Sequence, residues 1–108
     1  MSSAKGSQAE SAAADYLRKK GFSIIERNYR RPFGEIDIVA REGDTVVFVE
    51  VKARAGSGFG GPEASVGSSK QRKLVRAAAA WLQSRRWDGP SRFDVVAIEG
   101  TEIRHISD

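Results

Sequence analysis

The stretch that decides the fold is GEIDIVAREGDTVVFVEVKAR, residues 34–54. It reads as two strands, at about 35–41 and 45–53, around a tight turn. Gly43-Asp44 puts glycine at the first central position of a two-residue type II′ hairpin turn. That turn sets Glu42 opposite Thr45. Counting back, Asp37 falls opposite Glu50 and Glu35 opposite Lys52. Side chains alternate between faces along a strand. Ile36, Ile38 and Ala40 are therefore expected on one face, as are Val47, Val49 and Val51. The other face is expected to carry Glu35, Asp37 and Val39 with Phe48, Glu50 and Lys52. A one-residue slip would scramble both faces.

Two carboxylates directly opposed across a hairpin repel each other. They are stabilised by sharing a proton or a cation. A hard divalent ion such as Mg²⁺ takes oxygen ligands, one or two of them carboxylates, and keeps several waters. Asp37, Glu50 and the carbonyl of Val51 supply such a set. Lys52, on the same face, comes near a phosphate oxygen without being a ligand. That pattern suits phosphodiester cleavage. A solvated hairpin face also accommodates acids beside a lysine. Against that reading, Val39, Val46 and Phe48 share the face, which makes it more a cleft than open water.

The rest of the chain frames this hairpin. At 108 residues it suits one domain with a real core. It has no cysteine, so disulfides and thiolate metal sites are excluded. No apolar run approaches the ~18 residues of a membrane span. The N-terminus lacks the apolar core of a secretory signal. The expectation is a cytoplasmic protein. The formal charge is +4. Lys70, Arg72, Lys73, Arg76, Arg85 and Arg86 follow one another with no acid between, a local basic surface that suits nucleic acid or simply a solvated helix face.

Residues 7 to 20 have a helical pattern, with Ser7 and Glu10 at capping-box spacing and Gly21 after a basic last turn. A strand follows at FSIIERNYR. Beyond the hairpin comes AGSGFGGPEASVGSS, then a second capping-box pattern at Ser68 and Gln71. The next helix carries the stripe Leu74, Ala77, Ala78, Trp81 and Leu82. RFDVVAI, almost continuously apolar, reads as a central strand, and TEIRHI as a shorter last one. The order is α-β-β-β-α-β-β. It predicts one domain over 1–108 with a mixed central sheet between two helices, a flexible N-terminus at 1–6 and a flexible Gly-rich loop at 55–67.

Asp37, twelve residues, then Glu50-Val51-Lys52 resembles the PD-(D/E)xK nuclease signature, with Ile36 where the proline of that name stands. Together with ERNYR, GEIDIVA, VFVEVKAR, Lys70 and RFDVVAI, it closely resembles the uncharacterised bacterial YraN-like family. That family is related in fold to the archaeal Holliday-junction resolvases. The resemblance runs from about Gly6 to Ile98. It implies a restriction-endonuclease-like three-layer fold and cleavage of DNA that depends on Mg²⁺ or Mn²⁺. It also implies a further acid in the first helix, at the position of Glu10, and analogy with the resolvases allows a homodimer.

Glu10 keeps two readings on spacing alone. It is a helix cap, or it faces the site from the stripe Glu10, Ala13, Ala14, Leu17. Glu35 is read as a salt-bridge partner that tethers Lys52, or as exposed. Lys70, Arg72, Lys73 and Arg30 are candidate phosphate contacts, as are Arg27 and Arg31. Trp81 is expected in the core and Trp87 in packing. The single histidine, His105, is assigned no chemistry. Two functions follow: a metal-dependent endonuclease acting on DNA, branched or structured DNA included, or a nucleic-acid-binding module of the same fold that cleaves little, in a repair or processing assembly.

Overall fold

The hairpin forms with the expected turn. The computed structural model describes residues 4–54 and 68–107 of the chain, with side chains from 8 to 53 and from 71 to 107. The Gly-rich loop, residues 1–3 of the N-terminus, and the side chains of Ser68 and Lys70 lie outside the described residues. Gly43 takes a φ of 62°, and Asp44 does not enter the left-handed region. That combination is type II′. Strands β2 (Gly34–Glu42) and β3 (Thr45–Arg54) pair antiparallel, with Glu42 opposite Thr45 and Ile38 opposite Val49. The register is the one the turn predicts.

Strand β1 (Ser23–Arg31) joins β2 antiparallel. Strand β4 (Ser91–Glu99) lies parallel to β3, and β5 (Glu102–Ser107) returns antiparallel to β4. The sheet order is β1-β2-β3-β4-β5. A parallel pair needs a crossover, which helix α2 (Ser68–Ser84) supplies. The apolar β4 is interior to the sheet, as its sequence predicts.

Helix α1 (Ala4–Lys19) packs Ala13, Ala14 and Leu17 on Ile38, Ala40, Val47, Val49 and Val96. Helix α2 packs Ala77, Ala78 and Trp81 on Val39, Val46 and Phe48. These two sets alternate along β2 and β3, so the helices cover opposite faces of the sheet. The result is the expected three-layer α/β/α arrangement. α1 ends in a Schellman motif: Gly21 has φ 99° and the Phe22 amide donates to the Leu17 carbonyl at 3.0 Å.

Two sequence expectations change here. α1 begins at Ala4, so Ser7 lies inside the helix and is not its cap. Ile36 does not share a face with Ile38 and Ala40; it packs with Tyr29, Val39 and Phe48 on the α2 side. The ladder between β2 and β3 is described only as far as Ile38 and Val49. Past that point β2 stays paired with β1, and its alternation breaks.

Candidate functional site

The break in β2 is where the acids meet. In a continued ladder, the Val51 amide would donate to the backbone carbonyl of Ile36. It donates instead to Asp37 Oδ2, at 2.8 Å. The Asp37 side chain thus replaces a backbone acceptor where the strands part. This satisfies a donor that would otherwise be stranded. The predicted pairings of Asp37 with Glu50 and Glu35 with Lys52 are not rungs of the described ladder.

Asp37 and Glu50 nevertheless line one cleft of about 720 Å³, between the β1–β2 turn and α2. Glu50 is buried, 9% exposed. Burial pushes the Asp37 carboxyl up to about 6; the Val51 amide opposes that rise, while the charges of Glu50, Glu10 and Glu35 add to it. Lys52 Nζ lies 3.6 Å from Glu50 Oε2, with both side chains largely shielded from water. Glu10, buried on α1, lies 3.9 Å from Arg27 Nη2. The same guanidinium donates to Ser11 Oγ at 3.2 Å. The capping box does not form, because Ser7 lies inside the helix; Glu10 is buried on α1, and the described lining of the cleft does not include it.

Of the two readings of Glu35, as a tether of Lys52 or as exposed, the exposed one agrees with the structure: Glu35 pairs with Arg30 at 3.2 Å. Its strand has already left β3 at that point, so Glu35 and Lys52 do not face each other as rungs. Arg30 and Lys73 both line the cleft. Arg72 lies along α2 beside Val75 and Arg76, on a separate shallow depression. Arg27 is turned toward α1, as above. Trp81 is core, 2% exposed, and its indole N–H donates to Glu26. Trp87 donates to the Pro90 carbonyl and packs under Arg41.

Sequence reasoning missed a second polar cluster. Asp94 is 1% exposed in the middle of β4. Arg92 donates to both its oxygens, at 2.9 and 3.2 Å. His105 and Ser107 reach its Oδ2 at 2.7 and 3.3 Å. Lys20 Nζ lies 2.8 Å from His105 Nδ1. An ammonium has no acceptor, so Nδ1 accepts and Nε2–H donates to Asp94. Burial raises the Asp94 carboxyl, but Arg92 and His105 outweigh it and hold the group below the usual range. An aspartate within an apolar strand was the available signal. Phe33, in the turn after Arg31-Pro32, was also passed over, and it too lines the cleft.

The family model for uncharacterised protein family UPF0102 matches residues 9–98. The chain belongs to this family. A UPF0102 protein of Nitrosomonas europaea is 51% identical over 108 residues, covering 98% of this chain and 92% of the relative. A UPF0102 protein of Thermodesulfovibrio yellowstonii is 46% identical over 101 residues, covering 94% and 90%. Among solved structures, Archaeoglobus fulgidus Hjc, described as a Holliday junction resolvase from an archaeal hyperthermophile, superposes with a TM-score of 0.55. It is 20% identical, and the match covers 91% of this chain and 72% of Hjc. That likeness is one of fold. It bears out the restriction-endonuclease-like architecture, and the family agrees with the YraN-like resemblance. No helix among the described residues is long and apolar enough to cross a membrane.

Proposed function

We propose that this UPF0102 protein is a metal-dependent endonuclease that hydrolyses phosphodiester bonds in DNA, branched or structured DNA included. The observation that carries the reading is the cleft itself. Asp37 and Glu50 form part of its lining, with Arg30, Arg31 and Lys73 around them. Carboxylates within a basic surround suit a substrate that brings negative charge and a cation to the same place.

The residues fit a hard divalent ion. Every candidate donor is oxygen: the carboxylates of Asp37 and Glu50 and the carbonyl of Val51. The raised Asp37 carboxyl marks a place where negative charge is costly and a cation would offset it. Among the described residues, no group of three or more acid, histidine or cysteine side chains is placed to hold an ion. Mg²⁺ is commonly held by one or two carboxylates, with waters and phosphate oxygens completing its shell. Bound there, Mg²⁺ or Mn²⁺ would offset charge on the phosphate and acidify a water.

The chain's own residues have separable tasks in this reading. Hydrolysis joins a water oxygen to phosphorus and breaks one P–O ester bond. Lys52 stabilises the negative charge that builds on the phosphate oxygens. Glu10 orients water from the α1 side, with Arg27 positioning its carboxylate. Arg30 and Lys73 hold the strand in the cleft, and Arg72 extends the basic surface along α2. A paired site in a homodimer would serve two strands, and the cytoplasm is where such a substrate is met.

The test is cleavage of linear, single-stranded, flapped and four-way DNA with Mg²⁺ or Mn²⁺, with Asp37→Ala and Lys52→Ala beside the wild type. Cleavage that both variants abolish is expected. Metal-dependent cleavage that survives both substitutions points to a contaminant and sinks the proposal. Binding without cleavage on every substrate favours the non-cleaving module.

A further inference from the structure

The cleft holds an aromatic ring that phosphodiester chemistry does not use. Phe33 sits in the two-residue turn between Arg31 and Gly34 and lines the same cleft as Asp37 and Glu50. The ring is half-buried against the α2-side core, with the Arg76 guanidinium 5.7 Å from its centroid. Beside it, Arg31 lies 4.2 Å over the Tyr29 ring. The turn is also pinned. A Cβ on Gly34 would come within 2.6 Å of the Lys73 carbonyl oxygen, so the β1–β2 turn and α2 touch backbone to backbone. The turn that carries Phe33 is therefore held against α2 between two basic elements, which lowers the ordering cost of binding.

The part of the ring that lines the cleft offers an apolar surface to whatever binds there. An intact duplex presents phosphates to a basic cleft and keeps its base faces stacked inside. An unpaired nucleotide presents both a phosphate and a base face. We propose that Phe33 is a base-stacking residue, and that the cleft takes an unpaired nucleotide of a flapped or branched DNA. Arg30, Arg31 and Lys73 hold its phosphates, and the adjoining phosphodiester lies over Asp37 and Glu50. This names the substrate class of the proposed nuclease site and rests on that reading for the role of the acids. Charge complementarity favours a polyanion, and the aromatic lining favours one with bases.

The test places 2-aminopurine at successive positions of a single-stranded flap and follows its fluorescence with wild-type protein and with Phe33→Leu and Phe33→Trp. Wild type is expected to quench the probe at one or two positions near the junction. Phe33→Leu should lose that quench and bind the flap about tenfold more weakly, as expected for one lost base–aromatic stack. Its duplex affinity and melting temperature should stay near wild type, and Phe33→Trp should restore the quench. A flat quench profile, or equal weakening on flap and duplex, overturns the inference. So does competition by polyglutamate with no base-dependent signal, which would mark an acidic-peptide site. Stacking without cleavage of any DNA upholds the inference and sinks the nuclease reading. Cleavage indifferent to Phe33, with a flat profile, sinks the inference alone.

Discussion

Asp37 serves two ends that pull against each other. Its carboxylate caps the Val51 amide where β2 and β3 part, yet burial and neighbouring acids disfavour its charge. The folded protein holds the Asp37 proton up to about pH 6, against 3.8 for an ordinary aspartate. Stability from this group is thus full below pH 3.8 and is lost as pH rises through about 6. Asp37→Asn keeps an oxygen for the Val51 amide and removes the charge. In metal-free buffer it should stabilise the fold at neutral pH by on the order of 2–3 kcal/mol in urea unfolding. The gain should shrink as pH falls below about 6, while cleavage is lost. A variant no more stable than wild type at neutral pH would show that the site does not strain the fold. Asp94 runs the other way. Its lowered carboxyl stabilises the fold above the ordinary aspartate range and ceases to do so as pH falls through its folded value. Asp94→Ala leaves Arg92 and His105 without their shared acceptor, and should cost about 3–5 kcal/mol by the same measurement.

At the scale of elements, the β1–β2 turn and α2 depend on one missing side chain. Gly34→Ala sets a methyl 2.6 Å from the Lys73 carbonyl oxygen, and neither backbone can yield cheaply. It should cost about 1–3 kcal/mol and weaken DNA binding, because the turn carrying Phe33 is pushed off α2. At the end of α2, Arg86 occupies the left-handed region at φ 52°, where glycine is preferred. Arg86→Gly should therefore be neutral or stabilising by up to about 1 kcal/mol in thermal unfolding, despite the lost charge. These elements also show what was legible in the sequence. The hairpin register followed from Gly43-Asp44 and from period-two patterning, both local properties. The parting of β2 from β3 was not legible, because a side chain there takes over a backbone bond. The Asp94 cluster was hidden for another reason: its members come from α1's end, β4 and β5, with Lys20 and His105 85 residues apart. Only the assembled sheet brings them together.

At the scale of the whole molecule, the cleft is lined from β1, β2, β3 and α2, where Arg30, Arg31 and Lys73 surround Asp37 and Glu50. Beyond β4, β5 is an edge strand with an exposed Arg104. A net charge of +4 alone predicts only weak, diffuse attraction to DNA. Its placement predicts more. Each cation that neutralises a phosphate releases condensed counterions, so log affinity falls with log salt in proportion to the number of contacts. Lys73→Ala should weaken binding to flap and duplex alike, without changing where a base is stacked. It should reduce the salt slope by about one, measured between about 50 and 200 mM salt. Arg104→Ala removes the same formal charge from the far edge and should leave the slope unchanged. If the two variants lose the same slope, the attraction belongs to net charge and the cleft has no special hold on phosphate. If only Lys73→Ala loses it, the backbone runs past α2, over the acids and toward Phe33.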